Sequence, residues 1–370
     1  MVKTLIINST LERSGLTNVI YNLVKYLDKN KFQVHILTLS PERKFSRFED
    51  FINLGVTIHN LNLKGLGIYS LKSAQVKDKI KSIQPDIIHP FGFRGNVIAA
   101  KNCGNVPRMV TIQADLKENY VDDYGFILGS LMANYEINLA KSADCITVCS
   151  LELMKHYREI GKLELIQNGV CTETYFPMDL VRKNKMRIDF GLASADQVFV
   201  CTGLVNSRKD SLTVVKAFMM VNDLNKKLLM VGDGPLLEEC KTIAKNHSSI
   251  IFTGKVSNVV DYLAASDFFI SASKSEGMPN AVLEAGFVGL NLILSDIPPH
   301  KEISSQNGLG IHFFEPGNLS ELYKLISNAK FEAIIMNPVY AAKTMAASFE
   351  EVYLKLTDRS MTQKYSQKKS

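Results

Sequence analysis

The sequence feature that most constrains the fold is an alternation of short β-rich runs with longer amphipathic stretches, which begins near Met1 and begins again at Gln197. In the first half, the β-rich runs are KTLIIN, QVHILTL, GVTIHNL, DIIHP, RMVTIQA and CITVCS, and the helix-length segments are 15–28, 69–83, 94–102 and 119–141. In the second half, the runs QVFVCTGL, KLLMVGD, IIFTG, DFFISAS and NLILSD are each followed by a helical stretch. This pattern predicts an α/β protein with two doubly wound, Rossmann-like parallel sheets, each covered by helices on both faces.

The chain length also favours two domains, because 370 residues exceed what one ordinary core organises. We place the boundary in the segment 171–195, which has a proline, a charged run and no strand pattern. The predicted domains are residues 1–172 and 190–338, followed by a helix at about 340–357 that crosses back to the first domain and a basic, solvated tail at 358–370. Since open α/β sheets bind ligands beyond the carboxyl ends of their strands, we expect the site in a cleft that the two domains face.

The composition narrows the class of protein. Hydrophobic residues make up 46% of the chain and charged residues 22%, which is typical of an ordered globular protein. No apolar run approaches the ~18 residues that span a bilayer, and the six cysteines form no CxxC pair, so we expect a cytoplasmic protein with reduced thiols. The net charge of +6 fits attraction to phosphates, anionic lipids or nucleic acid and does not choose among them.

Several common motifs are absent from the sequence. HExxH, GxGxxG and GxxxxGK(S/T) do not occur, which disfavours zinc hydrolases, dinucleotide oxidoreductases and P-loop NTPases. There is no basic-aromatic platform and no tryptophan, so we expect no nucleic-acid partner.

The most informative segment is SASKSEGMPNAVLEAGFVGLNLILSD at 271–296, which predicts a strand, a loop with Gly277, a helix from about Asn280 and a second strand. Glu276 falls in the loop and Glu284 in the first turns of the helix. Carboxylates accept hydrogen bonds from sugar hydroxyls, and the N–H groups at a helix start bind phosphate or sugar oxygens. The whole segment therefore favours a site for a phosphorylated sugar, whereas one glutamate alone would indicate a solvated or capping residue.

At this segment the sequence resembles glycosyltransferase family 4, whose members have the GT-B fold and share two glutamates separated by seven residues in a setting similar to SEGMPNAVLEA. The resemblance implies a retaining glycosyltransferase in which Glu276 contacts the donor sugar and Glu284 contacts the ribose hydroxyls. It also implies that the loop backbone lies against the sugar and phosphate, through Gly277, Met278, Pro279 and Asn280. The resemblance extends over most of the chain.

A second match lies in TGLVNSRKDSLTVVKAF, where a strand ends in a loop with Gly203, Arg208 and Lys209 before a helix. Cations at a helix N-terminus are unfavourable with the helix dipole unless an anion lies beside them, so we expect a diphosphate there. Family members usually have an arginine directly after the glycine, where this chain has Leu204, and we expect Arg208 to substitute for it. The alternative is a pair of exposed cations near a turn.

Three further segments resemble the family less specifically. LLMVGDGPLLEEC is similar to a turn that lines the nucleotide pocket and contributes Gly234, with a purely structural turn as an equal alternative. IIFTGKV makes Val256, together with Lys255, a candidate contact of the base. STLERSGLTNVIYNL resembles a glycine loop that approaches the diphosphate, and Gly15 supplies its flexibility.

The first half departs from the family pattern after the run RMVTIQA. Family members often have a histidine there, close to the reacting sugar, and this chain has Gln113. Glutamine positions a hydroxyl but cannot act as a base, although the resemblance implies that the leaving phosphate helps to deprotonate the acceptor. Asp115 is an alternative polar group there, and His89 either faces the cleft or is an ordinary hydrogen-bonded histidine.

These features together predict transfer of a hexosyl or N-acetylhexosaminyl unit from a nucleoside diphosphate sugar, by resemblance a UDP-sugar, to a hydroxyl acceptor. The catalytic candidates are Lys209, Arg208, Glu276 and Gln113. No pair of aspartates has D-x-D spacing, so we expect no bound metal and no cofactor besides the donor substrate.

The acceptor is open at this stage. The basic segment KSAQVKDKIKS at 72–82 favours peripheral contact with the inner face of a membrane and a lipid-linked saccharide acceptor in polysaccharide biosynthesis, and its alternative is an ordinary solvated helix face. Two other functions are open. The departures at Gln113 and Leu204 fit a non-catalytic sugar-nucleotide-binding subunit of a glycosyltransferase complex. The shared fold fits a sugar-nucleotide epimerase.

Overall fold

The computed structural model describes residues 1–63, 73–245, 247–305, 310–332 and 334–367. The start of the predicted helix 69–83, Lys72 of the basic segment and the last three residues of the predicted tail lie outside the described residues. The chain divides into two compact units, one formed by Met1–Gly169 with Ala342–Ser370 and the other by Val170–Ala341. The division between Gly169 and Val170 lies just before the segment 171–195, in which the sequence analysis places the boundary.

The first unit is a parallel α/β unit. Its strands are β1 Val2–Asn8, β2 Phe32–Thr38, β3 Thr57–Asn60, β4 Ile87–Pro90, β5 Met109–Ile112, β6 Cys145–Val148 and β7 Leu163–Leu165. They pair in the orders β3-β2-β1-β4 and β5-β6-β7, and a parallel bridge from Ile88 to Arg108 joins the two ladders. Strand β1 is buried over most of its length, as expected for a parallel strand with both faces covered.

Helices cover these strands at the four predicted helix-length segments and at two short segments that the sequence analysis does not predict. They are α1 Gly15–Tyr26, α2 Phe48–Asn53, α3 Ser73–Ile83, α4 Gly92–Asn102, α5 Leu116–Tyr124, α6 Phe126–Lys141 and α7 Leu151–His156. Helix α1 begins after Ser14, whose hydroxyl accepts a hydrogen bond from the Thr17 N–H at 3.2 Å and so satisfies a free donor of the first turn.

The single helix predicted at 119–141 is wrong, because the structure divides this segment into α5 and α6. The helix is interrupted at Gly125, whose φ of +79° is a left-handed conformation that favours glycine. The two helices then pack closely, since a Cβ on Gly129 would lie 2.3 Å from the Tyr120 carbonyl oxygen. The apolar period alone does not reveal this break.

The second unit repeats the plan with a more regular sheet. Its strands are β8 Gln197–Thr202, β9 Lys226–Val231, β10 Ile250–Gly254, β11 Phe268–Ser271, β12 Asn291–Ser295 and β13 Ile311–Phe314, all parallel in the order β10-β9-β8-β11-β12-β13. Its helices are α8 Leu180–Asp189, α9 Ser211–Met219, α10 Leu237–Ala244, α11 Val259–Ala265, α12 Asn280–Val288, α13 Pro298–Ser304 and α14 Leu319–Ser327. Buried phenylalanines fill its core, at positions 199, 218, 268 and 314.

Helix α8 lies in the segment 171–195, in which the sequence analysis finds a charged run and no strand pattern. An ion pair and hydrogen bonds hold this helix against the rest of the second unit. The Arg187 guanidinium lies 2.7 Å from a carboxylate oxygen of Asp267 and donates to the Ala265 carbonyl at 3.0 Å. The same Asp267 oxygen accepts the Val198 N–H at 2.8 Å, so the helix is tied to strand β8. A helix held mainly by polar contacts has little of the apolar periodicity that predicts helices.

The last helix, α15 Ala342–Gln367, belongs to the first unit and packs against α1. Six of its side chains join the same apolar cluster as the buried face of α1, namely Met345, Ala346, Phe349, Val352, Tyr353 and Leu356. The predicted helix end near 357 and the frayed tail from 358 need correction, because the helical backbone continues to Gln367. Polar sequence near a chain end is compatible with helix as well as with coil.

His89 connects this helix to the sheet of the first unit. Its side chain is fully buried, with Nδ1 2.7 Å from the Tyr353 hydroxyl and Nε2 2.7 Å from the Thr111 hydroxyl. Of the two alternatives in the sequence analysis, His89 is therefore the ordinary hydrogen-bonded histidine.

The buried imidazole makes folding of the first unit sensitive to acid. Burial lowers the pKa of His89 from 6.5 to about 3, so between these values the unfolded chain binds a proton that the folded chain does not. Stability is therefore lost as the pH falls, and we expect this residue to lower the free energy of unfolding by about 2 kcal/mol between pH 7 and pH 5. Urea unfolding at both pH values measures the change. A His89→Gln variant should lose this part of the pH dependence, and an unchanged dependence would contradict the prediction.

Within the described part of the chain, no helix is both long and apolar enough to cross a membrane.

Candidate functional site

The strand order of the second unit indicates where a ligand binds. The order reverses between β8 and β11, the point at which open α/β sheets hold ligands beyond their carboxyl ends. A small pocket lies there, and residues from both strand ends line it, including Thr202, Gly203, Leu204, Lys209, Ser273, Glu276 and Pro279.

Glycines allow the loops after β8 and β9 to meet at this pocket. Gly203 and Gly232 have φ values of +124° and +153°, and a Cβ on Gly232 would lie 1.8 Å from the Gly203 carbonyl oxygen. A Cβ on Gly234 would lie 2.4 Å from the Val205 carbonyl oxygen. The Val205 N–H donates to the Asp233 carbonyl at 3.0 Å. The absence of a Cβ at the predicted residue Gly234 therefore allows the loop after β9 to lie directly against the loop after β8.

The β8 loop directs two cations at one carboxylate. The Lys209 Nζ is hydrogen-bonded to Glu276 Oε1, and Arg208 Nη1 lies 3.4 Å from Glu276 Oε2. The Arg208 guanidinium also donates to the Ser275 carbonyl at 3.1 Å, and the Ser273 hydroxyl donates to Glu276 Oε1 at 2.7 Å. The structure thus brings together three residues that the sequence analysis assigns separately to phosphate and to sugar.

Charge decides the protonation of Glu276, whose side chain is only 8% exposed. Burial alone would raise the pKa of this carboxyl, but the charges of Lys209 and Arg208 and the hydrogen bond from Ser273 outweigh burial and lower the pKa to about 2. Glu276 is therefore ionised at neutral pH and only accepts hydrogen bonds. One carboxylate between two cations leaves this cluster with one positive charge in excess.

The backbone conformation of the loop after β8 places Arg208 and Lys209 beside Glu276. Asp210 has a φ of +49° and directly precedes helix α9, and the Lys209 N–H donates to the Asn206 side chain at 2.9 Å. The Lys274 N–H donates to the Arg208 carbonyl at 2.8 Å, which joins the loop of the cations to the loop of Glu276.

The other predicted residues of the second unit surround the cluster at different depths. Pro279 lines the pocket and directly precedes α12, and Met278 is buried. Asn280 begins α12, and Glu284 lies nearly buried one turn further along this helix. Gly277, Asn280, Glu284, Gly234 and Val256 are not among the residues that line the described pocket.

The two predicted residues of the first unit lie at strand and helix ends. Gly15 is the first residue of α1. Gln113 follows β5 and accepts a hydrogen bond from the Asn168 side chain at 2.9 Å. Among the described residues, Gln113 Nε2 and Asn168 Oδ1 are buried without a partner, which leaves one donor and one acceptor side by side.

Asp115, the alternative to Gln113, has a structural role. Its carboxylate caps α5 by accepting the Glu118 N–H at 2.9 Å, and it lies 3.1 Å from His156 Nε2.

The sequence analysis missed Ser273, which donates to Glu276, and two polar residues behind it, Ser271 and His300. The two serines are two positions apart at the end of β11, and this spacing on a strand places both side chains on one face. That spacing is the one signal that the sequence offers for them.

Comparison with known proteins places this geometry in a class. Residues 13–174 match the family model described as Glycosyltransferase Family 4, and residues 196–329 match the model described as Glycosyl transferases group 1. The two matches together cover most of the chain. The chain therefore contains a Glycosyltransferase Family 4 domain and a group 1 glycosyltransferase domain, and it is a glycosyltransferase with the GT-B fold, as the sequence analysis predicts.

Several curated relatives are bacterial enzymes. The alpha-monoglucosyldiacylglycerol synthase of Streptococcus pneumoniae is 24% identical, over 92% of this chain and 79% of the relative. The capsular polysaccharide biosynthesis glycosyltransferase CapH of Staphylococcus aureus is 23% identical, over 96% of this chain and 100% of the relative. An Escherichia coli enzyme named UDP-Gal:alpha-D-GlcNAc-diphosphoundecaprenol alpha-1,3-galactosyltransferase is 32% identical, over 40% of each chain.

A solved structure shares the fold over the whole chain. HepE from Anabaena, in complex with UDP-glucose, aligns with a TM-score of 0.75 at 16% identity, over 99% of this chain and 100% of HepE.

Proposed function

We propose that this chain is a retaining glycosyltransferase that moves a hexosyl or N-acetylhexosaminyl unit from a UDP-sugar to a hydroxyl acceptor in polysaccharide or glycolipid biosynthesis. The cluster of Arg208, Lys209 and Glu276 at the reversal of strand order carries the proposal. Its excess positive charge suits a diphosphate, and its carboxylate suits sugar hydroxyls. The UDP-glucose bound to HepE and the UDP-Gal in the name of the E. coli relative support a uridine nucleotide.

The proposed reaction exchanges one C–O bond for another at the anomeric carbon. The acceptor oxygen bonds to this carbon on the face that the diphosphate leaves, the bond to the phosphate oxygen breaks, and the hydroxyl proton passes to the leaving phosphate. Lys209 and Arg208 stabilise the charge that develops on the diphosphate, which raises the rate because the interaction strengthens in the transition state. Glu276 orients the donor sugar and Glu284 the ribose. No step needs a metal.

The loop glycines and the pair at Gln113 complete the assignment. Gly203, Gly277 and Gly15 permit close backbone approach to the diphosphate. The unpaired donor of Gln113 and acceptor of Asn168 match the donor and acceptor character of a sugar hydroxyl. We assign this pair to positioning of a hydroxyl and not to proton transfer, because an amide does not titrate in this pH range.

The acceptor that we propose is a lipid-linked saccharide. The names of the S. pneumoniae and E. coli relatives contain a diacylglycerol and a diphosphoundecaprenol, both lipids. On the first unit, Tyr124 and helix α6 expose large apolar side chains. They include Phe126 at 70%, Ile127 at 78% and Leu131 at 63%. An exposed patch of this kind marks an interaction site. We assign it to a bilayer surface that carries the acceptor.

The basic segment forms part of helix α3 and exposes lysines to solvent. In α3, Val76, Ile80 and Ile83 pack in the core, while Lys77 and Lys81 are exposed. Such lysines attract anionic lipids, and they equally form an ordinary solvated face.

Replacing Phe126 and Ile127 together by serine should weaken binding to vesicles of phosphatidylcholine and phosphatidylglycerol by about tenfold or more, because each buried side chain contributes about 1.5 kcal/mol or more. A flotation assay measures the bound fraction. The matched control replaces Leu224 and Ile335, which are 76% and 82% exposed on the second unit. Equal binding by both double variants, or none by the unchanged protein, would count against the bilayer proposal.

The reaction itself is tested by incubating the protein with radiolabelled UDP-glucose, UDP-galactose or UDP-N-acetylglucosamine and membrane lipids as acceptors. Transfer of label to lipid with an α-linkage, read from the anomeric proton by NMR, supports the proposal. A β-linked product would contradict retention. Interconversion of donors without an acceptor would indicate an epimerase, and binding without turnover under all conditions would indicate a non-catalytic subunit.

A further inference from the structure

Glu276 is a counter-ion inside the proposed phosphate site. Its Oε1 is hydrogen-bonded to the Lys209 Nζ, and its Oε2 lies 3.4 Å from Arg208 Nη1. The Glu276 side chain is only 8% exposed, and an unpaired charge at that depth is strongly unfavourable. The carboxylate therefore remains beside the two cations when a ligand enters the pocket.

A phosphate can bind Lys209 while this ion pair persists. An ammonium group has three N–H donors, and the described contacts of Lys209 Nζ use one of them, toward Glu276. A phosphate oxygen on another donor would lie at most about 6 Å from Glu276 Oε1, twice the length of a charge-assisted hydrogen bond. Two negative charges at that separation repel each other in a partly buried site. Glu276 thus opposes the diphosphate that Lys209 and Arg208 attract.

Free UDP and a UDP-sugar differ at this end of the diphosphate. In a UDP-sugar the terminal phosphate is esterified and has one negative charge, and the sugar hydroxyls follow it. In free UDP the terminal phosphate has a second ionisation with a pKa of about 6, so it carries close to two negative charges above pH 7. Free UDP therefore brings more charge to Glu276 and no hydroxyl.

The second carboxylate oxygen of Glu276 has capacity for such a hydroxyl. Oε1 accepts from Lys209 and from the Ser273 hydroxyl, whereas Arg208 is the partner of Oε2 in the described part of the chain. A carboxylate oxygen accepts more than one hydrogen bond, so Oε2 is able to accept from a sugar hydroxyl. A UDP-sugar can offset the repulsion in this way, and free UDP cannot.

We propose that Glu276 makes the pocket discriminate against free UDP: its charge opposes the diphosphate, and only a ligand with a sugar offsets that opposition. The inference rests on the proposed function, because it assumes that Lys209 and Arg208 bind the diphosphate and that Glu276 faces the sugar. A repulsive element of this kind is a general source of specificity. Transfer of the sugar removes the offsetting contact, so Glu276 also favours release of UDP.

Glu276→Gln tests the proposal, because it removes the charge and keeps the shape of the side chain. Calorimetric titration compares UDP, uridine and whichever of UDP-glucose, UDP-galactose and UDP-N-acetylglucosamine binds most tightly. We expect Kd for UDP to fall about threefold or more, since a nearby like charge is gone. Kd for the UDP-sugar should stay the same or rise, because a weaker hydroxyl contact cancels the relief of repulsion. Uridine, which has no phosphate, should bind as before.

Two further variants accompany this measurement. Glu238→Gln is the matched control, because it also removes a carboxylate of the second unit that pairs with a lysine, at 2.8 Å, and its side chain is 82% exposed outside the pocket. This control should leave Kd for UDP unchanged. Glu276→Ala removes the charge without introducing an amide and should also tighten UDP. Thermal unfolding of each variant verifies that it is folded.

The inference is overturned if Kd for UDP is unchanged or raised in Glu276→Gln. Equal tightening of UDP and UDP-sugar, or the same tightening in Glu238→Gln, would also overturn it. Lys209→Ala checks the proposed function separately. If Lys209→Ala binds the UDP-sugar as tightly as the unchanged protein, or if the unchanged protein binds none of the three donors, the proposed function fails and the inference with it. If Lys209→Ala weakens the UDP-sugar while Glu276→Gln does not tighten UDP, the inference alone fails.

Discussion

Replacing Lys209 with alanine is expected to lower kcat for sugar transfer by about 10² to 10³-fold, the effect of removing one group that stabilises developing charge in a transition state. The substitution removes the cation bonded to Glu276 Oε1 and leaves Arg208 3.4 Å from the other oxygen. The cluster then has no excess positive charge to offset the departing diphosphate. Initial rates at saturating UDP-sugar and acceptor measure the loss.

The matched control is Lys274→Ala, which removes the same charge from the neighbouring loop. The Lys274 side chain is 56% exposed and lies 3.8 Å from an Asp210 oxygen, so its substitution should leave kcat within about twofold, as for other solvated ion pairs. Equal rates in Lys209→Ala and Lys274→Ala would contradict the assignment of Lys209 to the phosphate.

Replacing Gly232 with alanine is expected to destabilise the second unit by about 3 to 5 kcal/mol, the range of severe steric changes in a packed site. The new Cβ would lie 1.8 Å from the Gly203 carbonyl oxygen, and this atom is backbone that cannot rotate away. Relief of the clash must separate the two loops that form the pocket, so donor binding should fall together with stability. Chemical unfolding and donor titration measure the two effects.

A second glycine of the same unit separates the clash from the backbone conformation. Gly191 has a φ of +70°, and a Cβ there would meet nothing within 4 Å. Gly191→Ala should therefore cost only the left-handed conformation, about 1 to 2 kcal/mol, and leave donor binding unchanged. If Gly232→Ala costs no more than Gly191→Ala, the close approach of the loops is not essential.

The regular parts of this fold follow from short-range sequence patterns. Parallel strands buried on both faces are continuous apolar runs, so the restart at Gln197 predicts a second sheet, and the loop after DFFISAS predicts the position of Glu276. Two other features do not follow from such patterns. Helix α8 is held by a salt bridge to Asp267, a residue distant in sequence. The interruption at Gly125 depends on a backbone conformation that the apolar pattern does not record.

The candidate site shows the same limit. Residue types and loop positions suffice to select Lys209 and Glu276, but the sequence analysis treats one as a phosphate ligand and the other as a sugar ligand. That they bond to each other depends on the packing of the loops after β8 and β11. Contacts between residues 67 positions apart leave no periodic trace in the chain.

The return of α15 to the first unit has a consequence for how the protein is made. The N-terminal unit is completed by α15, which is synthesised after Val170–Ala341, whereas Val170–Ala341 is continuous in sequence. The face of α1 that packs against Phe349 and Tyr353 stays uncovered until α15 has been synthesised, and an exposed apolar surface of this kind promotes aggregation or chaperone binding. Nascent chains stalled before residue 342 should therefore contain a protease-resistant C-terminal unit beside an N-terminal unit that is still readily cleaved.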